Sequence, residues 1–325
     1  MGPRRPETVF GRFDLCWDPD GPSKLYEFNA DTPTSLIESA VVQWFWLQDT
    51  FGHGKYGAGD DGSGGGDTKN VGAGKDQFNA LHELLIEQWR YIRTERWKLP
   101  EGAPLYVASL HDSGDGELIT EDYDNVAYMA ETIQAAGFEP RQIFIESIRW
   151  DVENKTFMDL EDRPIRHIYK LYPWEWMVHE KFADQLLAAE QRTQWVEPLW
   201  KLLLSNKQLL VVLWEMFPGH PNLLPAFNSN VMFKGQKHVR KPKLGREGAN
   251  VQILDERGGV IERMEGGYGD EGYVWQQYKA LPSFDGWNAV VGSWIVGETP
   301  AGVDFRETST KITGDMAFIV PHYIN

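Results

Sequence analysis

The chain has 325 residues, 32 Lys and Arg against 48 Asp and Glu, a formal net charge of −16, and 42% hydrophobic residues. That length suits one large or two ordinary domains with a sizeable core, and the composition excludes global disorder. The negative charge leaves no excess of cations to release phosphate counterions or to dock on an anionic lipid surface, which excludes non-specific binding of nucleic acid and electrostatic association with a membrane.

Cys16 is the single cysteine, so no internal disulfide forms and the chain reads as built for a reducing compartment. No apolar segment follows residues 1–7, and the longest apolar run, residues 209–214, is far too short to span a bilayer. The expected location is the cytoplasm. Fourteen tryptophans fit either core packing or an aromatic platform for sugars or bases.

Along the chain, residues 11–17 read as a strand, 18–22 as a Pro- and Gly-containing turn, and 24–29 as a second strand. A helix is predicted to start at Thr34 or Ser35, with Leu36, Val41, Trp44 and Leu47 along one side. The stretch 51–74 carries ten glycines and reads as a surface loop without a phosphate-loop signature. Residues 76–96 form a predicted helix with Phe78, Leu81, Leu85 and Trp89 as its apolar stripe. Residues 105–110 form a buried strand, 122–136 a helix ended by Gly137, and 142–146 a strand, which together make an α/β unit.

Asn154 and Lys155 mark a hairpin tip, and 165–171 returns as a strand. Residues 174–189, 196–204 and 208–217 read as helices, the last ended by Pro218-Gly219. Residues 231–241, 249–255 and 260–264 form an antiparallel meander turning at Arg257-Gly258-Gly259; further strands cover 273–278, 287–296 and 302–305. The fold class is α+β in two lobes. Residues 1–200 form the first region, with the flexible glycine-rich loop, and 201–325 the second, with an antiparallel sheet. The boundary falls between about 190 and 225, and the regions can interleave.

The chemistry-bearing constellation is Arg12-Phe-Asp14 on the first strand and Glu27-Phe-Asn29 on the second. Residues two apart in a strand share a face, so pairing through the 18–22 turn brings all four side chains together. Three oxygen donors beside a guanidinium suit Mg²⁺ and phosphate, or else a polar face closed by a salt bridge. The segment from Lys241 to Asn250, with Gly245, Arg246 and Gly248, reads as a polyphosphate cover or as an ordinary basic turn.

Several longer strings carry a resemblance. These are Arg12-Phe-Asp14, Glu27-Phe-Asn-Ala-Asp-Thr-Pro-Thr-Ser35, Leu203-Leu-Ser-Asn-Lys207 and Leu213-Trp-Glu-Met-Phe-Pro-Gly-His-Pro-Asn-Leu-Leu224. Further along come Gly245-Arg-Glu-Gly-Ala-Asn250, Val291-Gly-Ser-Trp294 and Pro321-His-Tyr323. In this order the chain resembles the synthetase domain of glutathionylspermidine synthetases, and more closely that family's stand-alone acid–amine ligases.

The resemblance implies an ATP-grasp fold with ATP between two lobes. It further implies an ATP- and Mg²⁺-dependent ligase that joins a small-molecule or peptide carboxylate to an amine, polyamines included, through an acyl phosphate. Asp14, Glu27 and Asn29 match the Mg²⁺ ligands, and Arg12 and Arg306 the arginines at the transferring phosphate. Lys207, Lys241, Arg246 and Gly248 match the groups around the ATP phosphates, and Gln276 or Gln277 the adenine hinge. Thr32 and Thr34 fall at the acid substrate, Glu121 and Asp122 at the amine. Each has a plainer reading too: Thr34 as a helix cap, Glu121 and Asp122 as helix-start carboxylates, Lys207 as the opening of the next helix.

Relatives carry a segment before the Arg-Phe-Asp motif, and the bifunctional ones an upstream amidase domain. The alternative expectation is therefore a non-catalytic nucleotide-binding module, truncated or degenerate.

Overall fold

The hairpin that the sequence predicts at residues 10–29 is the middle of a larger sheet. In the computed structural model, which describes residues 7–51, 75–111, 120–189 and 191–325, the strand Phe10–Cys16 pairs on one side with Lys24–Asn29 and on the other with Trp287–Val296. Thr299–Thr308 and Phe318–Val320 follow outward, and Ser283–Phe284 pairs with Trp287–Val296, giving an antiparallel sheet of six strands. The glycine-rich stretch 52–74, expected as a surface loop, lies outside the described residues. Strands from both sides of residue 200 thus share one sheet.

A second antiparallel sheet of five strands is built from the predicted meander. His238–Pro242 sits at its centre, flanked by Gln252–Leu254 with Val260–Arg263 on one side and by Tyr273–Gln277 with Ala226–Phe227 on the other. Gly258, at φ +85°, makes the turn between 254 and 260 in the left-handed region that glycine enters without cost. The third sheet is parallel and four-stranded, in the order Phe138–Phe144, Ala103–Ser109, His167–Lys170, Gln194–Val196. The helix Thr120–Ala135 makes the crossover between its first two strands in chain order, as a parallel pair requires.

The main core forms where the helix Leu81–Tyr91 packs between this parallel sheet and the six-stranded one. Leu81, Leu85, Trp89 and Ile92 are fully buried, four positions recurring at helical spacing, and they meet Leu105, Val107, Met129 and Trp294. Phe10 stacks on Trp294 with ring centroids 6.0 Å apart, which joins two inner strands of the six-stranded sheet to this core.

Four elements differ from their sequence reading. The predicted helix at 76 starts only at Leu81, because Asp76 and Asn79 form bridges to Ile324 and Gly302; Phe78 stays 41% exposed. The helix from Leu36 to Phe51 contains a π-helical turn at Glu38–Val42. Leu36 and Leu47 are buried, while Trp44 is 41% exposed. Residues 174–189 split into Trp174–Met177 and Ala183–Ala188. Residues 194–196 form a strand rather than the start of a helix, since Trp195 and Val196 find a ladder partner in the parallel sheet; a helix resumes at Lys201. No helix among the described residues is long and apolar enough to cross a membrane.

Candidate active site

One face of the six-stranded sheet carries charged side chains in transverse rows. The register sets Arg12 opposite Asn29 and Trp294, and Asp14 opposite Glu27 and Gly292. Gly292 in turn faces Asp304, and Val290 faces Arg306. The four residues singled out at 12, 14, 27 and 29 therefore do converge.

Asp14 is the hub of this face. Its Oδ1 accepts from Arg12 Nε at 2.8 Å, and its Oδ2 meets Arg306 Nη2 at 2.7 Å and accepts from Asn29 Nδ2 at 3.2 Å. Burial alone would raise its carboxyl, but the two guanidinium ions outweigh that and hold it well below the usual carboxylate range. Arg12 also donates to the Thr34 carbonyl at 2.6 Å. Burial works against its charge, yet Asp14, Asp304 and Glu27 raise its pKa on balance.

Above this floor lies a cavity of about 360 Å³, roofed by the five-stranded sheet and the loop that joins its strands His238–Pro242 and Gln252–Leu254. Two lysines stand between the sheets. Lys241 donates to the Tyr26 carbonyl at 2.9 Å and to Gln276 Oε1 at 2.8 Å; Lys207 reaches the Gly245 carbonyl at 2.7 Å and Glu27 Oε2 at 3.1 Å. Burial pushes Lys241 down to about 8, and Lys207 adds to this, against the pull of Glu27 and Asp14.

The loop is held close over the cavity. Gly248 has φ +73°, and a Cβ there would lie 2.8 Å from the Thr313 carbonyl oxygen, so no side chain fits. Arg246 crosses to donate to Thr32 Oγ1 at 2.9 Å and lies over the Trp176 ring at 5.9 Å. At the rim stand Glu38, Glu121, Glu247 and Asp315. Desolvation raises the Glu121 carboxyl, and the charges of Glu38, Asp122, Asp315 and Glu247 raise it further. The opposite end is less charged, with Val239, Val251, Ile253, Leu281 and Val290 facing Tyr26 and Tyr278.

Of the residues singled out from sequence, Arg12, Asp14, Glu27, Asn29, Thr32, Thr34, Glu121, Lys207, Lys241, Arg246, Gly248, Gln276, Gln277 and Arg306 line this one cavity. Asp122 does not line it, although the charges of Arg246 and Glu247 reach it and burial raises its carboxyl. Gln276 and Gln277 both line the cavity, and Gln276 has a structural part as well. Its buried amide is clamped between Lys241 and the Leu25 carbonyl, 2.9 Å away, and so ties the two sheets together. Lys207 both precedes the helix Gln208–Met216 and projects into the cavity, so its plainer reading and its site reading hold together.

Sequence reasoning missed Asp304, Glu38, Glu247 and Asp315. For Asp304 a signal existed, because Asp304-Phe-Arg306 repeats the one-face spacing of Arg12-Phe-Asp14. No tryptophan lines the cavity, so the aromatic-platform reading gains no support there.

The donor set can be tested against Mg²⁺. Among the described residues no group of three or more His, Cys, Asp or Glu forms a cage. Mg²⁺ does not need one, since it is held by one or two carboxylates together with substrate phosphates and water. Glu27 and the amide oxygen of Asn29, whose nitrogen is given to Asp14, suit that pattern. Asp14 stands behind them with both oxygens engaged by cations.

Comparison with known proteins agrees with this architecture. The family described as glutathionylspermidine synthase preATP-grasp matches residues 3–325. A Haemophilus influenzae protein named "Putative acid--amine ligase" is 40% identical over 97% of this chain and 74% of its own length. The bifunctional glutathionylspermidine synthetase/amidase of Escherichia coli is 26% identical over 98% of this chain, which spans about half (49%) of that protein. A solved glutathione synthetase-like effector from Globodera pallida shares the fold, with a TM-score of 0.54 at 10% identity, over 99% of this chain and 77% of its own.

Proposed function

We propose that this chain, which belongs to the glutathionylspermidine synthase preATP-grasp family, is a carbon–nitrogen ligase that uses ATP and Mg²⁺ to join a carboxylate to an amine. The observation that carries the reading is the polarity of this cavity. Four lysines and three arginines line it, apolar side chains gather beside Tyr26 and Tyr278, and four acids stand at its rim. A nucleotide fits with its base at the apolar end and its phosphates over Lys207 and Lys241, between the two antiparallel sheets as in an ATP-grasp arrangement. An amine, polyamines included, fits the rim, where four carboxylates await a cation.

In the proposed reaction the terminal phosphoryl group of ATP passes to an oxygen of the acid's carboxylate, releasing ADP. The amine nitrogen then attacks the acyl carbon, phosphate leaves with the C–O electron pair, and an amide forms. Phosphoryl transfer asks for positioning and charge neutralisation. Arg12 and Arg306 face the place where that charge develops, and Lys207 and Lys241 hold the remaining phosphates. Glu27 and Asn29 would hold Mg²⁺, which when bound neutralises phosphate charge and orients the transferring group. The amine must lose a proton to react, and Glu121, raised by desolvation and by its acidic neighbours, is suited to accept it. Arg246 and Thr32, joined across the cavity, flank the approach for the acid and accommodate a peptide carboxylate.

The test is ADP release measured with Mg-ATP while acids and amines are varied, with the product mass determined. Release that requires both an acid and an amine, with an amide as product, is the expected result. Nucleotide binding without such release would favour the binding-module alternative.

A further inference from the structure

We infer that Asp304 is a positioning residue for the reaction: it aims Arg306 and offsets the charge of the arginine pair on the cavity floor. The inference rests on the ligase reading above.

Asp304 is fully buried on the strand Thr299–Thr308. Its Oδ2 accepts from Trp294 Nε1 at 2.6 Å and from Ser39 Oγ at 3.0 Å. Both donors are neutral, and an amide oxygen would satisfy them equally well, so they do not explain why a charge is kept there at the cost of desolvation. Its other oxygen, Oδ1, has no hydrogen-bond partner and lies 3.8 Å from Arg306 Nε, itself a buried donor without a hydrogen bond among the described residues. Nη2, the neighbouring nitrogen on the same edge of that guanidinium, holds Asp14 at 2.7 Å. Two carboxylates thus meet one edge of the planar head of Arg306, which limits the direction in which it points.

The sheet makes room for this. Gly292 stands between Asp14 and Asp304 in register, and a Cβ there would sit 2.4 Å from Asp304 Oδ1. With Asp304 ionised, Arg12 and Arg306 are balanced by Asp14 and Asp304, and this group of four is neutral. It therefore does not hold the polyphosphate ground state so tightly that the arginines are spent before charge moves to the acceptor.

The experiment is Asp304→Asn, which keeps the shape and an oxygen for Trp294 and Ser39 but removes the charge. Two readouts are expected to move in opposite directions. The Kd for ATP, measured by calorimetry without acid or amine, should tighten roughly threefold, because one negative neighbour is gone. The kcat should fall by about 10- to 100-fold, the usual loss when the support of a reacting group is removed. A structural role alone would weaken both together.

A second arm uses chemical rescue. Guanidinium added to Arg306→Ala should restore turnover, and the same ion should restore at least tenfold less in the Asp304→Asn/Arg306→Ala double variant. Should Asp304→Asn fail to fold, Gly292→Ala displaces the same carboxylate with the charge retained, and kcat should again fall. Asp304→Asn with kcat within twofold of the parent, or with weaker ATP binding, overturns the inference. A parent protein that binds ATP but turns over no acid and amine removes the ligase reading, while the direction of the ATP shift still decides the role of Asp304.

Discussion

The floor and the rim of the cavity use the same carboxylate chemistry to opposite ends. On the floor, Asp14 is buried yet held ionised, because Arg12 and Arg306 lie against it. At the rim, Glu121 is exposed, yet its carboxyl is raised, by what desolvation it meets and by the charges of Glu38, Asp122, Asp315 and Glu247. Burial is the deeper on the floor, and the shift there is nonetheless downward. The sign is set by the partner rather than by depth. Under the proposed function, a floor whose charges are matched suits an exchange of partners with a phosphate, whereas a rim of crowded acids suits a cation.

The largest effect is expected where the two regions meet. Glu27 bridges the floor row and Lys207. Glu27→Gln keeps its size and removes its charge, and kcat should fall by more than about 100-fold, with Tm changed by only a few degrees. Full metal-dependent turnover in this variant would break the assignment of the floor. Glu121→Gln should instead act on the rim, raising the KM for the amine about tenfold and leaving the KM for ATP unchanged. Equal changes in both would erase the distinction between the regions.

Proton linkage sharpens it further. Lys241, pushed down to about 8, is partly uncharged in the folded protein at pH 8–9, where an exposed lysine keeps its proton. Folding is therefore disfavoured by this residue at neutral pH, and that penalty is relieved as pH rises from about 8 towards about 10.4. Phosphates over Lys241 should return its proton, so ATP binding near pH 8.5 should take up a fraction of a proton, read by calorimetry in two buffers of different ionisation enthalpy. Uptake that survives in Lys241→Met would assign it elsewhere.

Across the acid range the two regions separate in sign. The stability that Asp14 contributes is present above the usual carboxylate pKa of about 3.9 and is lost as pH falls below it. The raised carboxyls of Glu121 and Asp122 act the other way, costing stability at neutral pH and ceasing to do so as they take up protons on acidification. Thr32→Val is the mildest test. It removes one hydrogen bond to Arg246, and the KM for the acid should rise by about fivefold, in line with a hydrogen bond worth about 1 kcal/mol.

Much of the floor was legible in the sequence because strands have a period of two. Arg12, Asp14, Glu27 and Asn29 share a face by spacing alone, and the Pro- and Gly-bearing turn at 18–22 fixes which strands pair. The mates of that hairpin, almost the whole chain away at 287–308, follow from no local rule, and so the spacing of Asp304-Phe-Arg306 had no partner row to be read against. The π-helical turn at Glu38–Val42 is a feature that pattern reading cannot see. A π-helical turn leaves the composition of a helix intact and changes only its phase. Trp195 and Val196 suit either a helix start or a short strand, and the decision came from a neighbour, Tyr169, that only the folded sheet supplies.

The position of the strand Phe10–Cys16 between neighbours far apart in the chain has a consequence for biosynthesis. A growing polypeptide holds Arg12 and Asp14 long before Arg306 and the strand that presents it have been made. Contacts so distant in sequence form late. A nascent chain thus lacks the complete floor, which is assembled only when the long strands at 287–308 dock beside the first.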